Sequence, residues 1–164
     1  MRESIDSHAR TRVAILGCTG SIGTQALDVC RQHADRLQVV ALSAHSRIEE
    51  LVRFAREFDV AHTAVTDPRH AADPILSELP HGCDLLTGED SAAELARMDD
   101  CDVVLVSIVG AAGLAASHAA LTSGKRLALA NKESLVVGGD LLMPLARPVN
   151  SCPSTRSTAR SSSA

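Results

Sequence analysis

The apolar positions along the chain fall into short aliphatic runs separated by stretches in which they recur every three or four residues. Arg12 to Leu16 is an aliphatic run closed by a glycine turn, as expected of a buried first strand. From Ile22 to about Ala34 the apolar positions Ile22, Ala26, Val29 and Cys30 keep helical spacing. Leu37 to Leu42 is a second run. Arg47 to Phe58 is an amphipathic helix with Ile48, Leu51, Val52, Ala55 and Phe58 on one face. Thr63 to Val65 is a third strand ending at the Asp67-Pro68 turn signal. Asp73 to Leu79 suits a short helix with Asp73 as cap and Pro74 at its first position.

A minor strand at Cys83 to Leu86 and a helix from Gly88 to Met98 follow. Val103 to Val106 is the clearest internal strand. An alanine-rich helix from about Gly113 to Ser123 is stopped by Gly124. A final strand, Arg126 to Ala130, precedes a helix from about Gly139 to Ala146. Strands alternating with helices predict an α/β fold, a doubly wound, mainly parallel, Rossmann-like sheet with helices on both faces.

Composition sharpens this picture in a few places. Phe54 and Phe58 are the only aromatics in the 164 residues, so the core is built from Ala, Val, Leu and Ile, which suits a covered parallel sheet. A net charge of -4 and the lack of aromatic platforms argue against nucleic acid. With no apolar run near the ~18 residues of a membrane span and no secretory signal pattern, a cytoplasmic protein with no membrane partner is expected. The five cysteines form no C-x-x-C pair and read as reduced thiols in or near the core. His33, His62, His70, His81 and His118 show no ligand spacing and read as surface or capping residues; Asp99, Asp100 and Asp102 read as a solvated loop.

Candidate chemistry sits at two places. Gly17-Cys-Thr-Gly-Ser-Ile-Gly23 joins the first strand to the first helix. In such a turn Gly17 permits the bend, Gly20 lets a pyrophosphate reach the backbone and Gly23 lets helix close on strand. Free amides at the helix start then face the phosphates, with Thr19 and Ser21 adding hydroxyls. NAD-binding versions carry an acid at the end of the second strand. Here Ser43-Ala-His-Ser-Arg47 offers none, and Ser46 and Arg47 would instead welcome a 2′-phosphate. Arg47 as a solvated residue at a helix start is the competing reading. The second place is Ala130-Asn-Lys-Glu-Ser134, at the expected carboxyl edge of the sheet. Its polar side chains suit either a ligand or an ordinary strand-to-helix loop.

Four strings, Val13-Ala-Ile-Leu-Gly-Cys-Thr-Gly-Ser-Ile-Gly23, Val39-Val-Ala-Leu-Ser-Ala44, Val109-Gly-Ala-Ala-Gly-Leu114 and Leu129-Ala-Asn-Lys-Glu-Ser-Leu-Val136, occur in order. Together they resemble the N-terminal domain of the 1-deoxy-D-xylulose 5-phosphate reductoisomerase family, from about Arg12 to Ala146. The resemblance implies an NADPH-dependent oxidoreductase of isoprenoid precursor synthesis that forms 2-C-methyl-D-erythritol 4-phosphate. It implies NADPH contacts from Thr19, Gly20, Ser21, Ile22, Asn131 and Glu133, and a contact of Lys132 with the substrate, 1-deoxy-D-xylulose 5-phosphate. His45, Ser46 and Arg47 align with the family's 2′-phosphate segment, although the family often has glycine in place of His45 and asparagine in place of Arg47.

The family also implies Mg²⁺ or Mn²⁺ held by an Asp-Ser-Glu motif, and a homodimer. That motif is absent, so no metal ligand or catalytic residue is assigned and the chain alone is expected to be inactive. A stand-alone NADPH-binding module without catalysis is the alternative. A semialdehyde dehydrogenase relative would need a nucleophilic Cys in a suitable loop, a setting neither Cys101 nor Cys152 has.

The expected organisation is a polar extension (1–11), an NADPH-binding domain (12–147) and a disordered Ser/Thr-rich tail (148–164). The tail lacks Asp, Glu, Leu and Ile. Reading a GC-rich coding stretch for the family's Asp-Ser-Glu region one nucleotide out of phase yields Val149 to Ser163. A frameshift near Arg147 is therefore expected, and coding DNA with no Asp-Ser-Glu in the shifted frame would dismiss it.

Overall fold

The computed structural model describes residues 9–130. The expected Gly139–Ala146 helix, the 148–164 tail and the Asn131, Lys132 and Glu133 positions lie outside the described residues.

Among the described residues there are six parallel strands: β1 (Thr11–Leu16), β2 (Leu37–Ala44), β3 (His62–Val65), β4 (Asp84–Thr87), β5 (Val103–Val106) and β6 (Arg126–Leu129). Their order across the sheet is β4-β3-β2-β1-β5-β6. The same residues hold four α-helices: α1 (Ser21–Gln32), α2 (Ile48–Phe58), α3 (Ser91–Arg97) and α4 (Gly110–Thr122). The doubly wound, Rossmann-like sheet read from the sequence is therefore the observed fold. β1 pairs with β2 on one side and β5 on the other. The winding reverses between β1 and β5, which makes their carboxyl ends the topological switch point of the sheet.

The alternation of side chains along β1 divides the core. Val13 and Ile15 join Leu27 and Cys30 of α1 and Ile48, Leu51 and Val52 of α2 on one face. Ala14 and Leu16 join Ala92, Leu95 and Ala96 of α3 and Ala116, Ala119 and Ala120 of α4 on the other. Ile15, Leu16, Leu27 and Leu51 are fully enclosed, each contributing roughly 2 kcal/mol of apolar burial. At the amino edge, the Arg12 amide and guanidinium both donate to Asp102, bonding the start of β1 to the residue before β5.

Several elements depart from their expected form. The helical spacing of α1 is present, but its buried residues are Gly23, Leu27 and Cys30, while Ile22 and Val29 are exposed. The cause is Gly23, whose missing side chain lets that face close on the Gly17–Cys18 turn. The Gly88–Met98 helix shortens to Ser91–Arg97 because Gly88 adopts φ 108°, a turn conformation. The Asp73–Leu79 segment is a 3-10 helix, Pro74–Glu78, with Asp73 accepting from the Ile75 amide as expected of a cap. α4 begins three residues earlier than its alanine pattern indicated. His62 is not a surface or capping residue: it is buried at the start of β3, its Nε2 2.9 Å from Asp100 and its Nδ1 3.4 Å from Asp84. Among the described residues no helix is long and apolar enough to cross a membrane.

Candidate functional site: the crevice at the switch point

β1 ends at Leu16, and Gly17 turns the chain with φ 83°. The amides of Gly17 and Cys18 both donate to the Ser43 carbonyl, at 3.1 and 2.9 Å, and Gly17 also donates to Ser43 Oγ. The turn is thus pinned to the end of β2. From the other side, the Ser107 hydroxyl at the end of β5 lies 2.8 Å from the carbonyls of both Leu16 and Gly17. A Cβ on Gly17 would meet Ser107 Oγ at 2.8 Å, so the close approach requires glycine there.

Gly23 is fixed by packing as well: a Cβ would stand 2.2 Å from the Gly17 carbonyl oxygen. Gly20 is different. Its φ of -77° and ψ of 171° suit any residue, and an added Cβ would meet nothing nearer than 3.7 Å. Among the described residues nothing requires glycine at 20. Gly20 is also the N-cap of α1, which has no side-chain cap and no acid in its first turn. The first intrahelical bond runs from the Thr24 amide to the Gly20 carbonyl at 2.9 Å. The preceding amides, Ser21 to Gly23, are the orphan donors that bind anions at helix starts.

A second helix start faces the same switch point. Val109, 70% exposed, caps α4, again with no side-chain cap and no acid in the first turn. By contrast, the two 3-10 helices are capped by Asp67 and Asp73. None of the four α-helices has a side-chain cap, but α2 carries Glu49 and Glu50 and α3 carries Glu94 in the first turn, whereas α1 and α4 carry no acid there. Gly113 allows α4 to close on its own entry loop, since a Cβ would lie 2.1 Å from the Ile108 carbonyl oxygen.

The structure brings together several residues singled out in the sequence. Thr19 is half-buried, and Gly20, Ser21 and Ile22 are exposed along the turn. Ser46 and Arg47 are exposed after β2, and the Arg47 guanidinium donates to the Thr19 carbonyl at 3.2 Å, linking the two loops. Arg47 is also 3.8 Å from Glu50. Cys18 is enclosed beneath the turn, and burial pushes its thiol up to about 12. Sequence reasoning missed Ser43 and Ser107. A serine directly ending the aliphatic run Val103–Val106 was the available signal for the latter. Asn131, Lys132 and Glu133 follow β6, whose carboxyl end lies on the same edge of the sheet. Among the described residues no group of three or more His, Cys, Asp or Glu side chains could hold a metal ion. The divalent ion implied by the resemblance has no ligand set in this part of the chain.

A parallel sheet with a glycine turn and two uncapped helix starts at its switch point defines the Rossmann-like class of α/β domains. Comparison with known proteins narrows the class. The sequence model of 1-deoxy-D-xylulose 5-phosphate reductoisomerase matches residues 13–139, and the chain belongs to that family. The reductoisomerase of Rhodococcus jostii (strain RHA1) is 47% identical over 145 residues, covering 88% of this chain and 35% of its own length. That of Thermosynechococcus vestitus is 42% identical, covering 80% and 32%. The solved Zymomonas mobilis reductoisomerase in complex with NADPH superposes with a TM-score of 0.77 at 36% identity, covering 84% of this chain and 36% of that one. A reductoisomerase solved with NADPH, fosmidomycin and magnesium gives 0.76 at 39% identity, covering 83% and 34%. The chain thus spans about a third of the length of the relatives it matches.

Proposed function

We propose that this chain is the NADPH-binding part of a 1-deoxy-D-xylulose 5-phosphate reductoisomerase. In this reading the whole enzyme is a cytoplasmic homodimer that converts 1-deoxy-D-xylulose 5-phosphate to 2-C-methyl-D-erythritol 4-phosphate with NADPH and Mg²⁺ or Mn²⁺. It has no nucleic-acid or membrane partner, and residues 12–147 form its cofactor unit. The observation that carries the reading is Gly20: an open backbone position that the fold does not need, placed at an uncapped helix start on the switch point.

NADPH supplies the hydride. Gly20 keeps the backbone clear for the pyrophosphate, the amides from Ser21 to Gly23 hydrogen-bond it, and Thr19, Ser21 and Ile22 line its path. Ser46 and Arg47 receive the 2′-phosphate, a role that a guanidinium fork suits better than an ammonium. Asn131 and Glu133 extend the cofactor site and Lys132 meets the sugar phosphate. Ser43 and Ser107 hold the turn in shape from either side.

The test is direct titration of the 164-residue chain with NADPH, followed by nicotinamide fluorescence against a protein that has no tryptophan. Saturable binding, tighter for NADPH than for NADH, is expected. A chain that is folded by circular dichroism yet leaves NADPH unbound at millimolar concentration would refute the reading.

A further inference from the structure

His62 opens β3, beside Ala41 of β2 on one side and Asp84 of β4 on the other. It lies on the amino edge of the sheet, at the end opposite the glycine turn, and is only 9% exposed. Its two ring nitrogens meet different carboxylates. Nε2 is 2.9 Å from Asp100, in the turn between α3 and β5, and Nδ1 is 3.4 Å from Asp84.

The two contacts make unequal demands on the ring. A neutral imidazole carries one N–H and one bare lone pair. The carboxylate of Asp100 can only accept, so the bond at 2.9 Å takes the single N–H at Nε2. Nδ1 is then a buried acceptor with no hydrogen-bond partner, and the carboxylate nearest to it, Asp84, is an acceptor too. Two acceptors set against each other leave a buried polar atom unsatisfied, which costs stability. A proton on Nδ1 removes the conflict, because the ring then donates from both nitrogens, one to each carboxylate.

The elements packed around the ring bring no competing cation. β2 presents Ala41, and α3 turns Ser91, Ala92, Ala93, Leu95 and Ala96 inward. Arg12 is within charge range of Asp100, but its amide, Nε and Nη2 are all bonded to Asp102. Among the described residues neither Asp84 nor Asp100 forms an ion pair with a lysine or arginine, and His62 is the basic group set against each.

We propose that His62 is a proton-operated clasp: a proton taken up at Nδ1 ties Asp84 of β4 and the Asp100 turn together through β3, and its loss releases Asp84. Histidine is the side chain whose ordinary titration lies between pH 5 and 8. The clasp therefore closes as pH falls through that range and opens as pH rises. Its stabilisation belongs to the protonated ring, so it is present at the acid end and lost toward the alkaline end. The clasp joins the outermost strand of one half of the sheet to the turn that feeds β5, the strand whose far end carries Ser107 over the glycine turn. It depends on the fold alone and is independent of the NADPH reading.

The experiment follows the full 164-residue chain from about pH 5 to about pH 8 by urea unfolding and by long-range proton–nitrogen NMR of the imidazoles. His62→Gln identifies the His62 signal and provides the reference for stability. The side chains of Asp84 and Asp100 are 73% and 63% exposed, and an exposed ion pair changes an equilibrium constant by up to about fivefold. The folding constant of the parent relative to His62→Gln is expected to rise by about twofold to fivefold from the alkaline to the acid end. The folded ring should carry protons on both nitrogens at the acid end and on Nε2 alone at the alkaline end. Asp84→Asn sets an amide N–H opposite Nδ1 and so satisfies the neutral ring; the pH dependence should then be lost. That variant alters a largely exposed side chain, which keeps the test independent of whether His62→Gln folds. A folded His62 that stays singly protonated at the acid end, or a parent-to-variant ratio that is constant across the range, overturns the clasp. A pH dependence that survives Asp84→Asn unchanged overturns it as well.

Discussion

Replacing Gly20 by alanine separates the needs of a ligand from the needs of the fold. The backbone at 20 is extended, with φ -77° and ψ 171°, and the new methyl would meet its nearest neighbour at 3.7 Å, an ordinary contact. Removing a glycine from the unfolded chain stabilises by about 0.4–1 kcal/mol, whereas alanine is a poorer N-cap than glycine by a comparable amount. The net change should lie within about 1 kcal/mol of zero. On the proposed reading, the methyl nevertheless occupies the space through which a pyrophosphate would approach the amides of Ser21 to Gly23. Loss of one charge-assisted hydrogen bond, about 1.5–3 kcal/mol, weakens NADPH about tenfold to a hundredfold.

Gly23→Ala provides the contrast. Its methyl would stand 2.2 Å from the Gly17 oxygen and 2.7 Å from Cys18 Cα, so backbone has to move by roughly 1 Å. Forced overpacking of this kind costs about 1–3 kcal/mol or more. Urea denaturation followed by far-ultraviolet circular dichroism, with NADPH titration of each variant, distinguishes the two. A Gly20→Ala chain that binds NADPH as the parent does, or that is destabilised as much as Gly23→Ala, would refute the assignment of Gly20 to the ligand.

The buried Asp67 predicts a pH dependence. The Arg69 side chain, together with the Arg69 amide, holds its carboxyl well below the usual carboxylate range. With the folded value under an unfolded value of about 3.9, the stabilisation is complete above about pH 4 and is lost as pH falls through the folded value. Urea midpoints of the parent and Asp67→Asn should differ at pH 7 and converge in strong acid; equal midpoints at pH 7 would contradict the geometry. Cys18 makes a chemical prediction. With its thiol enclosed and pushed up to about 12, it should escape iodoacetamide at pH 8 in the native chain and react in urea. Peptide mapping that finds Cys18 alkylated without denaturant would show that the turn opens.

The parts of the fold legible in the sequence are those dictated locally. Val13 to Leu16 is aliphatic enough to be buried on both faces, Val103 to Val106 is buried at Val104 and Val106, and the Asp73-Pro74 pair marks a helix start by its own cap chemistry. The start of α4 was obscured because Val109 offers no side-chain oxygen to announce a cap. The burial of His62 could not be read, since its partner Asp100 is 38 residues away and only the folded sheet brings the two to one edge. The candidate turn was legible from its glycines, although their spacing could not show that Gly17 and Gly23 answer to packing while Gly20 does not. Ser107 escaped notice for the same reason as His62: it works on Gly17 across 90 residues of chain. Asp67 was read as a turn residue, and the Asp-Pro-Arg sequence around it already contained the Arg69 that encloses its charge.

The position of β1 at the middle of the sheet also sets the order in which the crevice can be made. β2, β3 and β4 all leave the ribosome before β5, so the early chain has a sheet of four strands whose β1 edge is bare. The Arg12–Asp102 bonds and the Ser107 clasp on the glycine turn join segments about 90 residues apart. At roughly 5–20 residues per second, that interval lasts on the order of ten seconds. Until β5 emerges the far edge of β1 has no partner strand, and after β4 ends at Thr87 the four-stranded sheet waits only for the segment leading to Val103. Closure of the glycine turn by Ser107 is therefore a late event of biosynthesis, gated by the arrival of β5.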